Sequence, residues 1–397
     1  MPEFDWEPVV LTPFLLDRAE LPFRVVETDY RDALEFWRGL FRLGKDKDMK
    51  REMQGRLGVA SRNPLVEFLF NRIGEVVNYP DSHRGWKPFA LKAGRELLQK
   101  ERFDAVISCH PTISHVIASE LKGEFRFPWV ADLPDLWSLN HNYRYSRLRR
   151  WLDRRLELRI LSKADAMTTV SEPWTEKQRE LHKGKPVYTI THGIDLEEVN
   201  TPPVKLTKKF TITYTGTIYP EGQDTSKIFT AMQTLISNGE IDRDNIEVRF
   251  YGPYLKWLDR EIEKYGLAGI AMQYGQLTMP EAVKKQRESQ LLLLLKWEDP
   301  KERGWHSGKI YEYLAAQRPV LATGGSSDVL EELISETRAG ICAFSVRDTE
   351  QALRELYQEY AQSGAIAYHG TASKLDKYSH REMARKFAEV LDQVRGD

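Results

Sequence analysis

Lys309 and Glu312 stand in the run WHSGKIYEYLAAQRPVLATGG, one helical turn apart. Ser307 and Gly308 precede a helix expected to start at about Lys309, and Gln317-Arg318-Pro319 closes it before the strand VLAT. A lysine and unpaired N–H groups at a helix start suit a diphosphate. A carboxylate one turn deeper can accept hydrogen bonds from vicinal hydroxyls such as those of a ribose. A surface helix carrying a Lys–Glu pair would show the same spacing. A second run, TYTGTIYPEGQDTSKIF, ends a strand at Thr215 and opens a loop at Gly216 and Thr217 before a helix that carries Lys227. Backbone N–H groups in such a loop can hold a phosphate, and an ordinary strand-to-helix turn reads the same way. A third run, WVADLPDLWS, sets Asp132 and Asp135 at a strand's carboxyl end. There a carboxylate could orient a hydroxyl or stabilise developing positive charge, or simply cap the next loop. His110 ends the strand AVISC and could line a cleft, although a lone histidine more often has a structural role. Ser171 after TTV could face a hinge or cap the helix that follows.

These residues need strands to carry them. FDAVIS, FPWVADL, AMTTVS and VYTITHG are short apolar runs separated by helical segments such as 90–100 and 148–161. After Pro202-Pro203 the pattern restarts with FTITYTG, IEVRFYG, AMQYG, QLLLLL and PVLAT, again with helices between. That alternation predicts two doubly wound α/β units with parallel sheets. The expected division is residues 1–198, residues 199–376, and a C-terminal amphipathic helix within 377–397 that packs back toward the first unit. Two such units would face a cleft, with ligands beyond the carboxyl ends of the strands.

Composition narrows the rest. The 397 residues are 41% hydrophobic and 29% charged with a formal net charge of -1, a globular balance without an overall pull toward nucleic acid. The two cysteines, Cys109 and Cys342, have no metal-binding spacing and read as reduced, buried thiols. No signal peptide is visible, and LLLLL at Leu291–Leu295 is too short to span a bilayer. The expected location is cytoplasmic.

Taken together, GKIYEYLAAQRPVLAT, YTGTIYPEG, TTVSE and THGID resemble the family 4 glycosyltransferases of the GT-B fold, over essentially the whole chain. The resemblance implies a nucleotide-sugar donor held mainly by the second unit, transfer with retention of configuration, and no metal. It implies that Glu312 binds the ribose, that Ser307, Gly308 and Lys309 sit near the diphosphate, and that Gly216 and Thr217 face them. His192, Gly193 and Asp195 would be crossing residues between the domains. The acceptor, a glycan or a lipid-linked glycan, would fall to the first unit, with Asp132, Asp135 and His110 as candidate catalytic residues. Cell-surface polysaccharide or glycoconjugate synthesis is the implied setting.

The chain departs from the family pattern in two places. The position of a first glutamate, eight residues before Glu312, is Gly304, with Glu298 and Glu302 out of register. The positions of an arginine and a lysine in the first loop of the second unit are Thr217 and Gly222, which leaves Lys227, Arg303 and Lys309 as available cations. The opening MPEFDWEPVVLTP resembles a segment that follows a first strand, Gly-rich loop and helix in related sequences, so the first sheet is expected to lack an inner strand. Residues 14–87 read as an ill-patterned, helical, acceptor-specific insertion. The arginine-rich segment 144–160, with Trp151, could dock at the inner face of a membrane. The plainer reading is a solvated helix whose Asp153 and Glu157 balance part of the charge. Rival functions are a sugar-nucleotide epimerase of the same fold, and a truncated nucleotide-sugar binder without transferase activity.

Overall fold

The computed structural model describes residues 1–14, 21–32, 74–75, 78–140, 145–199, 202, 204–220, 222–299, 301, 304–305 and 307–396. Contacts divide the chain into two units: Met1–Ile190 with Ala384–Asp397, and Thr191–Met383. Both are parallel α/β structures.

The first unit contains β1 (Val9–Pro13), β2 (Arg24–Thr28), α1 (Lys87–Lys100), β3 (Val106–Ser108), α2 (Thr112–Phe125), β4 (Trp129–Leu133), α3 (Arg147–Leu161), β5 (Ala166–Thr169), α4 (Glu172–Leu181) and β6 (Val187–Thr189). Strands β3-β4-β5-β6 form one parallel sheet in that order, while β1 and β2 form a separate parallel pair with Val9 opposite Arg24. The β2 strand lies in the segment expected to be helical. Its apolar pair, Val25-Val26, is too short a run to stand out from sequence. The rest of that insertion, mainly 15–20 and 33–73, lies outside the described residues.

Among the described residues the two sheets of this unit share no ladder. A cavity of about 620 Å³ is lined by Val9 and Leu11 of β1, Val106 and Ile107 of β3, Leu98 of α1 and Ile117 of α2. Parallel strands ordinarily lie buried on both faces. Here Val10 and Ile107 remain 37% and 39% exposed. The apolar core lies instead between β4, β5 and the helices α1, α2 and α3, around Trp129, Leu133, Met167 and Leu161.

The second unit contains β7 (Phe210–Thr215), α5 (Ser226–Ser237), β8 (Ile246–Tyr251), α6 (Lys256–Lys264), β9 (Ala271–Gly275), α7 (Met279–Arg287), β10 (Leu291–Leu295), α8 (Gly308–Ala315), β11 (Val320–Thr323), α9 (Val329–Thr337), β12 (Gly340–Ala343) and α10 (Val346–Ser363). Its sheet is one continuous six-stranded parallel array, β12-β11-β10-β7-β8-β9. All five leucines of β10 and all six residues of β7 are buried, as central strands of a covered parallel sheet should be. Threonines alternate with apolar residues along β7, and their hydroxyls are satisfied within the core: Thr213 accepts from Ser289 at 2.7 Å and Thr215 from Gln286 at 2.9 Å. The order reverses between β10 and β7, so the carboxyl ends of these two strands form the switch point where α/β sheets take ligands. The C-terminal helix α11 (His380–Arg395) buries Ala388, Val390 and Leu391.

Candidate functional site

The switch point of the second unit is built from three short segments. The first is the loop after β7. Gly216 has φ +104, a left-handed conformation that favours glycine. A Cβ there would lie 2.5 Å from Cε of Lys309, so the lysine side chain rests directly on the glycine backbone. Thr217 follows, and its carbonyl accepts from the Tyr214 hydroxyl at 2.8 Å.

The second segment is the start of α8. Ser307 is its N-cap, and the Ser307 Oγ accepts from the Lys309 N–H at 3.3 Å. Gly308, the first helical residue, is exposed. Lys309 Nζ lies 5.5 Å from the centroid of the Tyr214 ring and, among the described residues, has no ion pair. Burial lowers the Lys309 pKa below its ordinary value, and the charge of Glu312 partly opposes that shift. A desolvated cation beside free helix N–H groups is a strong site for an anion.

Glu312 projects from the next turn. Its Oε2 accepts from Nε2 of Gln286 at 3.1 Å, and the same nitrogen donates to Thr215 Oγ1 at 2.9 Å. Gln286 is fully buried on α7, and its Oε1 atom has no hydrogen-bond partner among the described residues. The glutamine therefore orients the carboxylate from behind. Sequence reading overlooked it; a glutamine one turn from Val283 in an amphipathic helix was the available signal.

The third segment follows β10. Glu298 pairs with Lys227 of α5 at 2.5 Å, and its backbone N–H donates to the Gly222 carbonyl at 2.9 Å. Gln223 also ties this loop to the strand end, accepting from the Tyr219 N–H at 3.0 Å and donating to the Leu295 carbonyl at 2.8 Å. Lys227 is thus held at the other end of the Gly216–Gln223 loop from Lys309. Local geometry accounts for the glycines at 222 and 304. A Cβ on Gly222 would stand 1.9 Å from the Trp297 ring, which leaves no room for a side chain. Gly304 has φ +95, where a glutamate would be strained. Glu302, Arg303 and His306 lie outside the described residues.

In the first unit Asp132 is the penultimate residue of β4, accepting from Thr168 Oγ1 at 2.6 Å and from the Cys109 thiol at 3.1 Å. Cys109 is an exposed residue, not the buried one expected; partial desolvation of its thiol, then the charge of Asp132, push the thiol well above its usual range, so it stays protonated and donates. Asp135 and His110 are exposed. The buried histidine of this region is His115 instead. Its Nδ1 meets Ser108 Oγ at 2.8 Å, and that oxygen accepts from Trp129 Nε1 at 2.8 Å. Burial lowers the His115 pKa to about 3, and the charge of His110 adds to the effect. Ser171 is the N-cap of α4, without a side-chain capping bond. Among the described residues no group of three or more His, Cys, Asp or Glu side chains could hold a metal ion.

Residues 47–198 match the family model described as Glycosyltransferase Family 4. The chain has the GT-B fold. Solved structures with the same fold include Anabaena Alr3699/HepE in complex with UDP and glucose, at 13% identity and TM-score 0.60, covering 97% of this chain and 99% of that one. A glycosyltransferase from Rickettsia africae ESF-5 aligns at 13% identity and TM-score 0.59, covering 98% of this chain and 99% of that one. Sucrose-phosphate synthase from Thermosynechococcus elongatus aligns at 15% identity and TM-score 0.57, covering 78% of each chain. No curated protein sequence matches the chain.

Proposed function

We propose that this chain moves a sugar from a uridine-type nucleotide sugar to a glycan or lipid-linked acceptor, with retention of configuration and without a metal ion. The observation that carries the reading is Lys309 lying on Gly216 beside the N-terminus of α8, with Glu312 held one turn deeper by Gln286. The complexes of Alr3699/HepE with UDP and UDP-glucose support the choice of base and donor.

In this mechanism Glu312 accepts from the ribose hydroxyls. Lys309 and the first N–H groups of α8 hold the diphosphate. As the bond from the anomeric carbon to the phosphate oxygen breaks, negative charge grows on that oxygen, and a partly desolvated ammonium stabilises it more than water would. The acceptor oxygen bonds to the anomeric carbon on the face the leaving group vacates, and its proton passes to the departing phosphate. Asp132, Asp135 and His110 are the candidate acceptor-side groups. The setting would be polysaccharide or glycoconjugate synthesis on the cytoplasmic side of a membrane.

One observation favours a second reading, a nucleotide-sugar binder that does not transfer. Asp132 is already engaged by Thr168 and Cys109. The two readings separate in one experiment. Melting temperature is measured with UDP, GDP, ADP, dTDP and their sugar conjugates, for the wild type and Glu312→Gln, followed by assay of donor hydrolysis and transfer. A rise with UDP and UDP-sugar that Glu312→Gln loses, followed by sugar release, supports the transferase. The same rise without turnover favours the binder. No rise with any nucleotide refutes both.

A further inference from the structure

Helix α3 wears its charge on the wrong side for a solvated surface helix. The sequence pattern pointed to Asp153 and Glu157 balancing the arginines in water, and the structure corrects that. Asp153 is 4% exposed and Glu157 is fully buried. Arg149, also buried, donates to Asp153 at 2.8 Å and to the Pro80 carbonyl at 2.7 Å, and lies over the rings of Tyr79 and Tyr145 at 5.0 and 4.4 Å. Glu157 accepts from the Ser138 N–H at 2.9 Å and from Gln178 at 3.3 Å. Both acids are consumed inside the unit.

What remains outside is cationic and apolar. Arg147, Arg150, Arg154, Arg155 and Arg159 are exposed, with no carboxylate of the helix among them. Between them stand Leu148, Trp151, Leu152 and Leu158, at 66%, 52%, 37% and 36% exposure. The Arg155 guanidinium lies 4.9 Å over the Trp151 ring. At 100° per residue, Leu158, Trp151, Leu148 and Leu152 fall on one stripe, with Arg155 and Arg159 inside it and Arg147, Arg154 and Arg150 along one edge.

We propose that this face of α3 docks on an anionic lipid bilayer, lying flat with Trp151 and its neighbouring leucines in the headgroup boundary. The charge decides the occupant. Five arginines without an ion pair among the described residues match a negative surface, and the interleaved Trp and Leu side chains gain by entering an acyl boundary, which a nucleic acid does not offer. No helix of the described residues is long and apolar enough to cross a membrane, so the contact is peripheral. The proposal does not depend on the donor site. Arg144, at the edge of the same segment, lies outside the described residues.

The test is co-sedimentation of the whole protein with phosphatidylcholine vesicles, with and without a one-third share of phosphatidylglycerol. The wild type should bind the anionic vesicles, ignore the neutral ones, and release in high salt. Arg147→Glu/Arg154→Glu should weaken binding at least ~25-fold, at about fivefold for each arginine lost. Leu148→Ser/Trp151→Ser should weaken it about tenfold. Lys256→Glu, an exposed charge of the other unit, should leave it unchanged. All the substituted side chains are exposed, so an unchanged melting temperature checks folding. The proposal is overturned if the wild type ignores anionic vesicles, if it binds neutral ones equally, if the double charge variant keeps its affinity, or if it binds duplex DNA in place of vesicles.

Discussion

The two units share a plan and differ in how well their sheets are closed. In the second, six parallel strands run without interruption, and β10 at the centre is fully buried. In the first, β1–β2 and β3–β6 stand apart around an apolar cavity, and Ile107 on β3 is 39% exposed where a sheet interior would bury it. The difference bears on the proposed sites. The second unit fixes its site residues from behind, through Gln286 and the Gln223-braced loop. The first offers open strand edges and a cavity near its candidate acceptor residues.

The sharpest way to break this comparison is to delete the same kind of side chain in both units. Leu293→Ala in β10 removes a fully buried leucine and should cost about 2–5 kcal/mol. Ile107→Ala, at a half-open edge, should cost less than about 1 kcal/mol. Urea unfolding of both variants reads the difference. Equal costs would mean that the β3 edge is as tightly packed in solution as the centre of the other sheet.

Next in size is the site itself. Lys309→Met removes the desolvated cation but keeps most of its volume over Gly216. Donor turnover should fall roughly 100-fold or more, as for loss of a group that stabilises developing charge. Melting temperature without ligand should hold or rise, because a buried ammonium is replaced by an apolar chain. Unchanged turnover would separate Lys309 from the diphosphate.

Gly222→Ala comes third. Its Cβ would meet the Trp297 ring at 1.9 Å, so the ring or the loop must move, at about 1–3 kcal/mol. Because the Glu298 N–H binds the Gly222 carbonyl, donor affinity should drop along with stability. Calorimetric titration with UDP beside a thermal melt would show whether the two losses travel together. A loss of stability alone would show that the loop only braces the second unit.

Much of this was legible from the chain. The runs around β7 and β10 carried continuous apolar or Thr-alternating patterns bounded by glycine and polar residues, and they fold as read. The helix start after Ser307 and Gly308, and Lys309 and Glu312 one turn apart, were local signals that the backbone simply obeys. Most of the misses depend on partners distant in sequence. β2 needs β1 beside it to become a strand. Gln286 gains meaning only when α7 meets α8. The charges of α3 looked balanced along the helix, yet Asp153 and Glu157 turn inward because Arg149, Ser138 and Gln178 meet them there. Periodicity gives a helix its two faces but does not say which one the neighbours will cover.

The smallest expected effect tests the electrostatics of Lys309 alone. Burial holds its pKa below the ordinary lysine value of 10.5 in the free protein. A bound diphosphate favours the charged form and must raise that value. Binding then takes up a proton once the pH passes the free-protein value, so donor affinity falls as pH rises through the range between the two. Below that range Lys309 is charged in both states and affinity is flat. The fall should stay within about tenfold while the protein remains folded. Lys309→Arg keeps its charge throughout and should lose this part of the slope. Ionisation of the nucleotide base is common to both proteins and cancels in the ratio of their affinities. UDP titrations of the two proteins across the alkaline range therefore isolate the lysine. A ratio that does not change with pH would mean that Nζ of Lys309 stays away from the diphosphate, and the site on the second unit would have to be rebuilt around Lys227 and Glu298.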